Sequence, residues 1–180
     1  ATSKVSPRQT SANILSEIKK HNKVVVMGHK FSDNDSVGAS VAMEYFCRQN
    51  GVNAKVVIDE KKSLAGPLIK YLRDNGYDKF IDHDEGKRFC DSKTLVIVVD
   101  THVENLLESD DVYEDGGKKI VIDHHRRNAD YIDDAEIFYH LPLSSSTCEM
   151  VSELIEYSAT QMTLPPEIAT ALLAGIVLDT

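Results

Sequence analysis

Cysteine is scarce in this chain, and the few cysteines lie far apart. Cys47, Cys90 and Cys148 are odd in number, and no two stand at the spacing of a zinc knuckle. A disulfide scaffold is excluded, and three reduced thiols in a cytosolic setting are expected. Basic charge is also short. The formal net charge is −9, so the chain lacks the broad basic face that a long nucleic acid needs. A small anionic substrate is still admitted, because a bound metal ion reverses the local field. Long apolar runs are missing too. The longest, 168–178, falls well short of the roughly 20 residues of a membrane span. No signal peptide is expected from the opening residues. Gly28 and Gly38 fit neither common glycine-rich phosphate loop.

What is present fits one ordinary core. A chain of 180 residues is too short for two comfortable domains, and 42% hydrophobic with 27% charged residues suits a soluble globular protein. Residues 1–22 are expected to form a polar lead-in with a short helix over 11–20, followed by a catalytic domain over 23–180. The chain stops immediately after a charged residue of interest, Asp179, so a piece of a longer protein is expected.

Periodicity sets out the elements. Strands are expected at 24–27, 55–58, 95–99, 119–122 and 135–139, and helices at 37–50, 64–73, 145–158 and from Pro166 to about Val177. The stretch 78–92 reads as polar, with one short apolar piece at Phe80 and Ile81. Residues 104–107 read as a helical turn. The runs at 95–99 and 119–122 are continuous and β-branched, as strands covered on both faces should be. Strands alternating with helices imply an α/β fold in three layers, a mostly parallel sheet with helices on both faces.

Charged residues follow several of these apolar runs. His29, Asp33 and Asp35 come after the first strand, Asp100 after the third, Asp123, His124 and His125 after the fourth, and Asp179 near the end of the last helix. Ends of buried parallel strands converge on one rim, where α/β folds place their sites. His29 and Asp33 can grip one ion while Asp35 turns toward a second. The two aspartates read equally well as turn or helix-cap residues. Asp100 reads either as a loop residue or as a carboxylate bridging two metals. In Asp123-His124-His125 the middle residue can ligate a metal, Asp123 can fix a histidine tautomer, and His125 can face the substrate; a solvated polar turn is the alternative.

Arg126, with Arg127, is a candidate phosphate contact. Ser145, within the run Ser144 to Thr147, reads as part of a helix N-cap or as a phosphate contact. His21, His83, His102 and His140 read as surface or satisfied polar residues. Carboxylates and imidazoles gathered this closely would repel and desolvate one another without cations. Two divalent ions solve that, and paired metals lower the pKa of a bridging water.

These motifs resemble the DHH phosphoesterase superfamily, named for the triplet seen here as Asp123-His124-His125. Gly28 to Gly38 is similar to its opening metal loop. Val98 to His102, Val121 to Arg127, Ser145 to Thr147 and Ala169 to Thr180 are similar to the GdpP-type cyclic-di-AMP phosphodiesterases within it. The resemblance runs from about Val24 to Thr180. It implies two manganese ions, one on His29, Asp33 and Asp100 and the other on Asp35, Asp100, His124 and Asp179. It implies hydrolysis of cyclic-di-AMP to a linear dinucleotide, with a short oligonucleotide or 3′-phosphoadenosine phosphate as the alternative substrate. A non-catalytic nucleotide sensor is the reading from a different class. The resemblance also implies a partner DHHA1 domain beyond Thr180, admits a homodimer, and places the domain in the cytoplasm, with the full-length protein anchored to a membrane.

Overall fold

The computed structural model describes residues 5–158 and 163–177. Asp179 lies outside the described residues. The elements run α1 (Pro7–Lys19), β1 (Lys23–Met27), α2 (Asn34–Gln49), β2 (Asn53–Val57), α3 (Gly66–Asp74), β3 (Phe80–Ile81), α4 (His83–Phe89), β4 (Leu95–Val99), a 3₁₀ turn (Glu104–Leu106), α5 (Asp110–Asp115), β5 (Lys119–Asp123), β6 (Ile137–His140), α6 (Thr147–Glu156) and α7 (Pro166–Val177).

The six strands form one sheet in the order β3-β2-β1-β4-β5-β6, and every pairing is parallel. Alternation along each strand divides the core in two. Val24, Val26, Ala54, Val56, Leu95, Ile97 and Ile120 face a layer built from α1, α2, α3, α6 and α7. Val25, Met27, Val96, Val98 and Val121 face Val112 and Tyr113 of α5, together with Cys90, Leu107 and Ile132. Both strand faces are therefore covered, which is why β4 is apolar at every position. Each such buried aliphatic side chain stabilises the fold by roughly 1.5–3 kcal/mol. The expected three-layer α/β arrangement is the one observed.

Several details differ from the sequence reading. Pro7 opens α1 inside the expected lead-in, with Ser6 as N-cap accepting from Gln9 N–H. Ile14, Leu15 and Ile18 then join the core. The polar stretch 78–92 holds both β3 and α4. The helix there is set by a capping box between Asp82 and Glu85 rather than by apolar periodicity. α5 is a short acidic turn whose only buried residues are Val112 and Tyr113, too brief to show a period. α2 starts at Asn34, so Asp35 lies in a first helical turn and not in a loop. All three cysteines are free and buried. Among the described residues, no helix is long and apolar enough to cross a membrane.

Candidate metal centre

The strand order reverses between β1 and β4, which are paired from Val24 with Leu95 to Met27 with Val98. Crevices at such reversals, outside the carboxyl ends of the strands, are where open α/β sheets bind ligands. Here β1 leads into His29, β4 into Asp100, and β5 ends on Asp123. Gly28 makes the turn possible: a Cβ there would sit 1.7 Å from Ser36 Oγ.

Asp100 is the centre of the arrangement. It is buried and adopts the left-handed conformation, φ 64°, which aspartate tolerates better than most residues. Its Oδ2 is 3.1 Å from His29 Nε2. Its Oδ1 accepts from Thr147 Oγ1 at 2.9 Å and faces His124 Nε2 at 3.6 Å. Burial pushes the Asp100 carboxyl up to about 6, against the opposing pull of His124 and His29.

Asp33 is at once the N-cap of α2, accepting from Ser36 N–H at 2.9 Å, and a neighbour of His29 Nε2 at 3.6 Å. Capping the helix leaves Asp33 beside His29, so the cap and a place next to the imidazole are compatible. Burial would raise the Asp33 pKa, but His29 and the Ser36 amide hold it down at about 2. Asp35 reaches across to the start of α6 and accepts the amides of Thr147 (3.0 Å) and Cys148 (2.8 Å). That is the favoured place for a negative charge, since a helix N-terminus presents free N–H groups and a positive dipole end. His124 Nε2 lies 3.4 Å from Asp35 Oδ2.

Tautomers follow from the backbone. His29 Nδ1 must donate to the carbonyl of Lys30 (2.8 Å), and His124 Nδ1 to the carbonyl of Ser144 (3.2 Å), because a carbonyl oxygen only accepts. Both Nε2 atoms are thereby turned toward carboxylates. His124 Nε2 is buried and makes no hydrogen bond. Burial alone would lower the His29 pKa; Asp100 and Asp33 outweigh it and lift it to about 11. Asp100 and then Asp35 lift His124 to about 10. The pocket demands positive charge at both imidazoles, and a divalent cation on each Nε2 would supply it in place of a proton. Donor atoms of His29, Asp33 and Asp100 lie within 4.8 Å of one another, as do those of Asp100, Asp123, His124 and His125. A mixed imidazole and carboxylate set without cysteine suits Mn²⁺ or a similar divalent ion.

Asp123 organises the next layer. Its Oδ1 accepts from His125 Nδ1 (2.7 Å) and from the His124 amide (2.8 Å), and its Oδ2 from His102 Nδ1 (2.6 Å). Since His102 Nε2 accepts the Asn128 amide at 2.9 Å, His102 is the neutral tautomer that carries its proton on Nδ1. Burial works against the Asp123 charge, but the His125 and His102 bonds keep its pKa below the usual value. His125 is exposed, and its bond to Asp123 raises its pKa.

Sequence reasoning left His102 among the isolated histidines. Its signals are a position two residues past Asp100 and a place at the end of the Val98–His102 segment. Arg126 is exposed beside the rim, whereas Arg127 stacks over Tyr131 and Phe138, 4.7 and 5.5 Å from their ring centres. Ser146, not Ser145, caps α6, accepting from the Glu149 amide at 3.0 Å; exposed Ser145 donates to the Glu149 carboxylate.

Comparison with known proteins agrees with this geometry. Cyclic-di-AMP phosphodiesterase GdpP of Bacillus subtilis is 34% identical over 98% of the chain, and cyclic-di-AMP phosphodiesterase PdeA of Listeria monocytogenes is 31% identical over 98%. The chain spans only 28% of the length of each. An exopolyphosphatase-related protein from Bacteroides fragilis shares the fold, with a TM-score of 0.81, 21% identity, and coverage of 99% of this chain and 52% of that one. Residues 23–176 match the family model described as DHH family, N-terminal domain, so the chain belongs to the DHH family.

Proposed function

We propose that residues 23–180 are the catalytic lobe of a two-manganese phosphodiesterase that hydrolyses cyclic-di-AMP to linear 5′-pApA. The observation that carries this reading is Asp100. Its two oxygens point to two imidazoles, His29 and His124, as a carboxylate shared between two cations would. His29, Asp33 and Asp100 would hold one ion. Asp35, Asp100 and His124 would hold the other, with Asp179 as a further ligand. The ions would supply a hydroxide at neutral pH and clamp the phosphoryl oxygens.

The chain's own residues do the rest. Asp123 holds the Nδ1 proton of His125 and favours its imidazolium form, whose exposed Nε2–H can donate to the phosphoryl group or the leaving oxygen. Thr147 holds Asp100 in its shared orientation, and Arg126 and Ser145 stand at the rim for the second phosphate. The relatives' printed activity supports the choice of cyclic-di-AMP. A second DHHA1 domain, contributing substrate affinity, a homodimer and a membrane anchor are expected of the full-length protein.

The test is side-by-side hydrolysis of cyclic-di-AMP, 5′-pApA, cyclic-di-GMP and 3′-phosphoadenosine phosphate by the full-length protein with Mn²⁺. Preference for cyclic-di-AMP is expected. Faster turnover of 3′-phosphoadenosine phosphate or of 5′-pApA would move the protein to the oligonucleotide-processing branch. Binding with no turnover of any of the four would make it a sensor.

A further inference from the structure

Phe31 has no part in the metal centre, yet it stands between His29 and Asp33. Its backbone is left-handed, φ 54°, a conformation that a bulky L side chain rarely adopts. The loop is held in that state from both sides. Lys30 N–H donates to the Leu106 carbonyl at 2.8 Å, and the Ser32 carbonyl accepts from Leu64 N–H at 2.8 Å and from Ser63 Oγ at 2.9 Å. Strain that the surroundings over-determine in this way clusters at ligand-binding positions. What the strain achieves is presentation: Phe31 is 58% exposed on the loop between His29 and Asp33. Leu64 and Leu106, from the two segments that pin the loop, are also exposed.

Charge divides the surroundings of this rim. On the β2 and β3 side, Asp59, Glu60, Asp82, Asp84 and Glu108 line a cleft of about 420 Å³ with Lys61 as its one lysine. A phosphate would be repelled there. On the β5 side stand exposed His125 and Arg126. A nucleotide at the metal centre would keep its phosphates toward β5 and turn an uncharged part toward Phe31.

We propose that Phe31, flanked by Leu64 and Leu106, is a stacking platform for one nucleobase of the substrate. The proposal rests on the dinucleotide reading above. Every base has a π face, so the platform contributes affinity and orientation rather than a choice among bases.

The test compares wild type, Phe31→Ala and Phe31→Trp in the full-length protein with Mn²⁺, using cyclic-di-AMP and an abasic cyclic diribose phosphodiester. Stacking on an aromatic side chain is typically worth about 5- to 150-fold in affinity. Phe31→Ala is expected to raise KM for cyclic-di-AMP by that factor. Bound metal and kcat/KM for the abasic diester should be unchanged, and Phe31→Trp should restore the KM. A KM within twofold of wild type, an equal loss on both substrates, or lost metal would overturn the platform. If wild type turns over a different nucleotide, the dinucleotide reading fails on its own. The platform then stands or falls by the same comparison with that nucleotide and its abasic counterpart.

Discussion

Replacing Gly38 by alanine probes whether α7 seats against α2 as closely as the structure shows. In an exposed helix interior the change would stabilise by about 1 kcal/mol, because alanine forms helix better than glycine. Here the added Cβ would lie 2.4 Å from the Ala171 carbonyl oxygen and 2.8 Å from Cys148 Sγ. The first of these is helix backbone and cannot rotate away, so α7 must shift. Overpacking of this kind costs about 1–3 kcal/mol, enough to cancel the propensity gain and usually exceed it. At 180 residues, each kcal/mol moves the melting temperature by about 2–4 °C. A net destabilisation of about 0–2 kcal/mol and a fall of about 0–8 °C follow, read as the thermal transition at 222 nm. Gly66→Ala is the control, because a Cβ there meets nothing within 4 Å and a shift inside about 0.5 kcal/mol is expected. A Gly38→Ala chain that melts above the wild-type temperature would show that α2 and α7 do not pack this closely at this point.

Three further outcomes follow from the site. His102→Ala removes the donor to Asp123 Oδ2 and should lower turnover about 10- to 100-fold with bound metal retained; His102→Gln should recover part, and unchanged kcat would remove His102 from the chemistry. Asp35→Asn withdraws a charge that accepts two α6 amides; a loss of about 1–3 kcal/mol in urea unfolding and of one of two bound metals is expected, and retention of both metals would clear Asp35 as a ligand. At pH 7 His29 and His124, raised to about 11 and about 10, carry protons that a divalent ion displaces. Binding should therefore release about two protons and weaken as pH falls, measured calorimetrically in buffers of different ionisation enthalpy; no release would show that both imidazoles are already neutral at Nε2. Without metal the sign reverses. Both folded-state values exceed the unfolded value of about 6.5, so the contribution of these imidazoles to stability is full below that pH and is lost as pH rises through about 10 and 11.

The rim of the sheet was legible because strand ends announce themselves: continuous apolar runs stop just before Gly28-His29, Asp100 and Asp123-His124, and parallel pairing brings the stops together. The shared role of Asp100 could be guessed from chemistry. Its left-handed backbone and its bond to Thr147 could not, since neither leaves a mark in spacing. α4 was illegible because a capping box, not an apolar stripe, starts it. His102 was illegible because its meaning depends on the second oxygen of Asp123, which only the packing of β4 beside β5 reveals. The two readings of Asp33 compete in sequence, while in space the cap on Ser36 N–H leaves the carboxylate next to His29.

The division of the site between the two halves of the sheet has a consequence of its own. His29, Asp33 and Asp35 follow β1, which continues outward to β2 and β3, while Asp100 and His124 follow β4 and β5, which continue outward to β6. On the ligand assignment proposed above, neither half holds a complete coordination set. A bound ion is thus a clasp across the seam, and its release under denaturant reports when the two halves part.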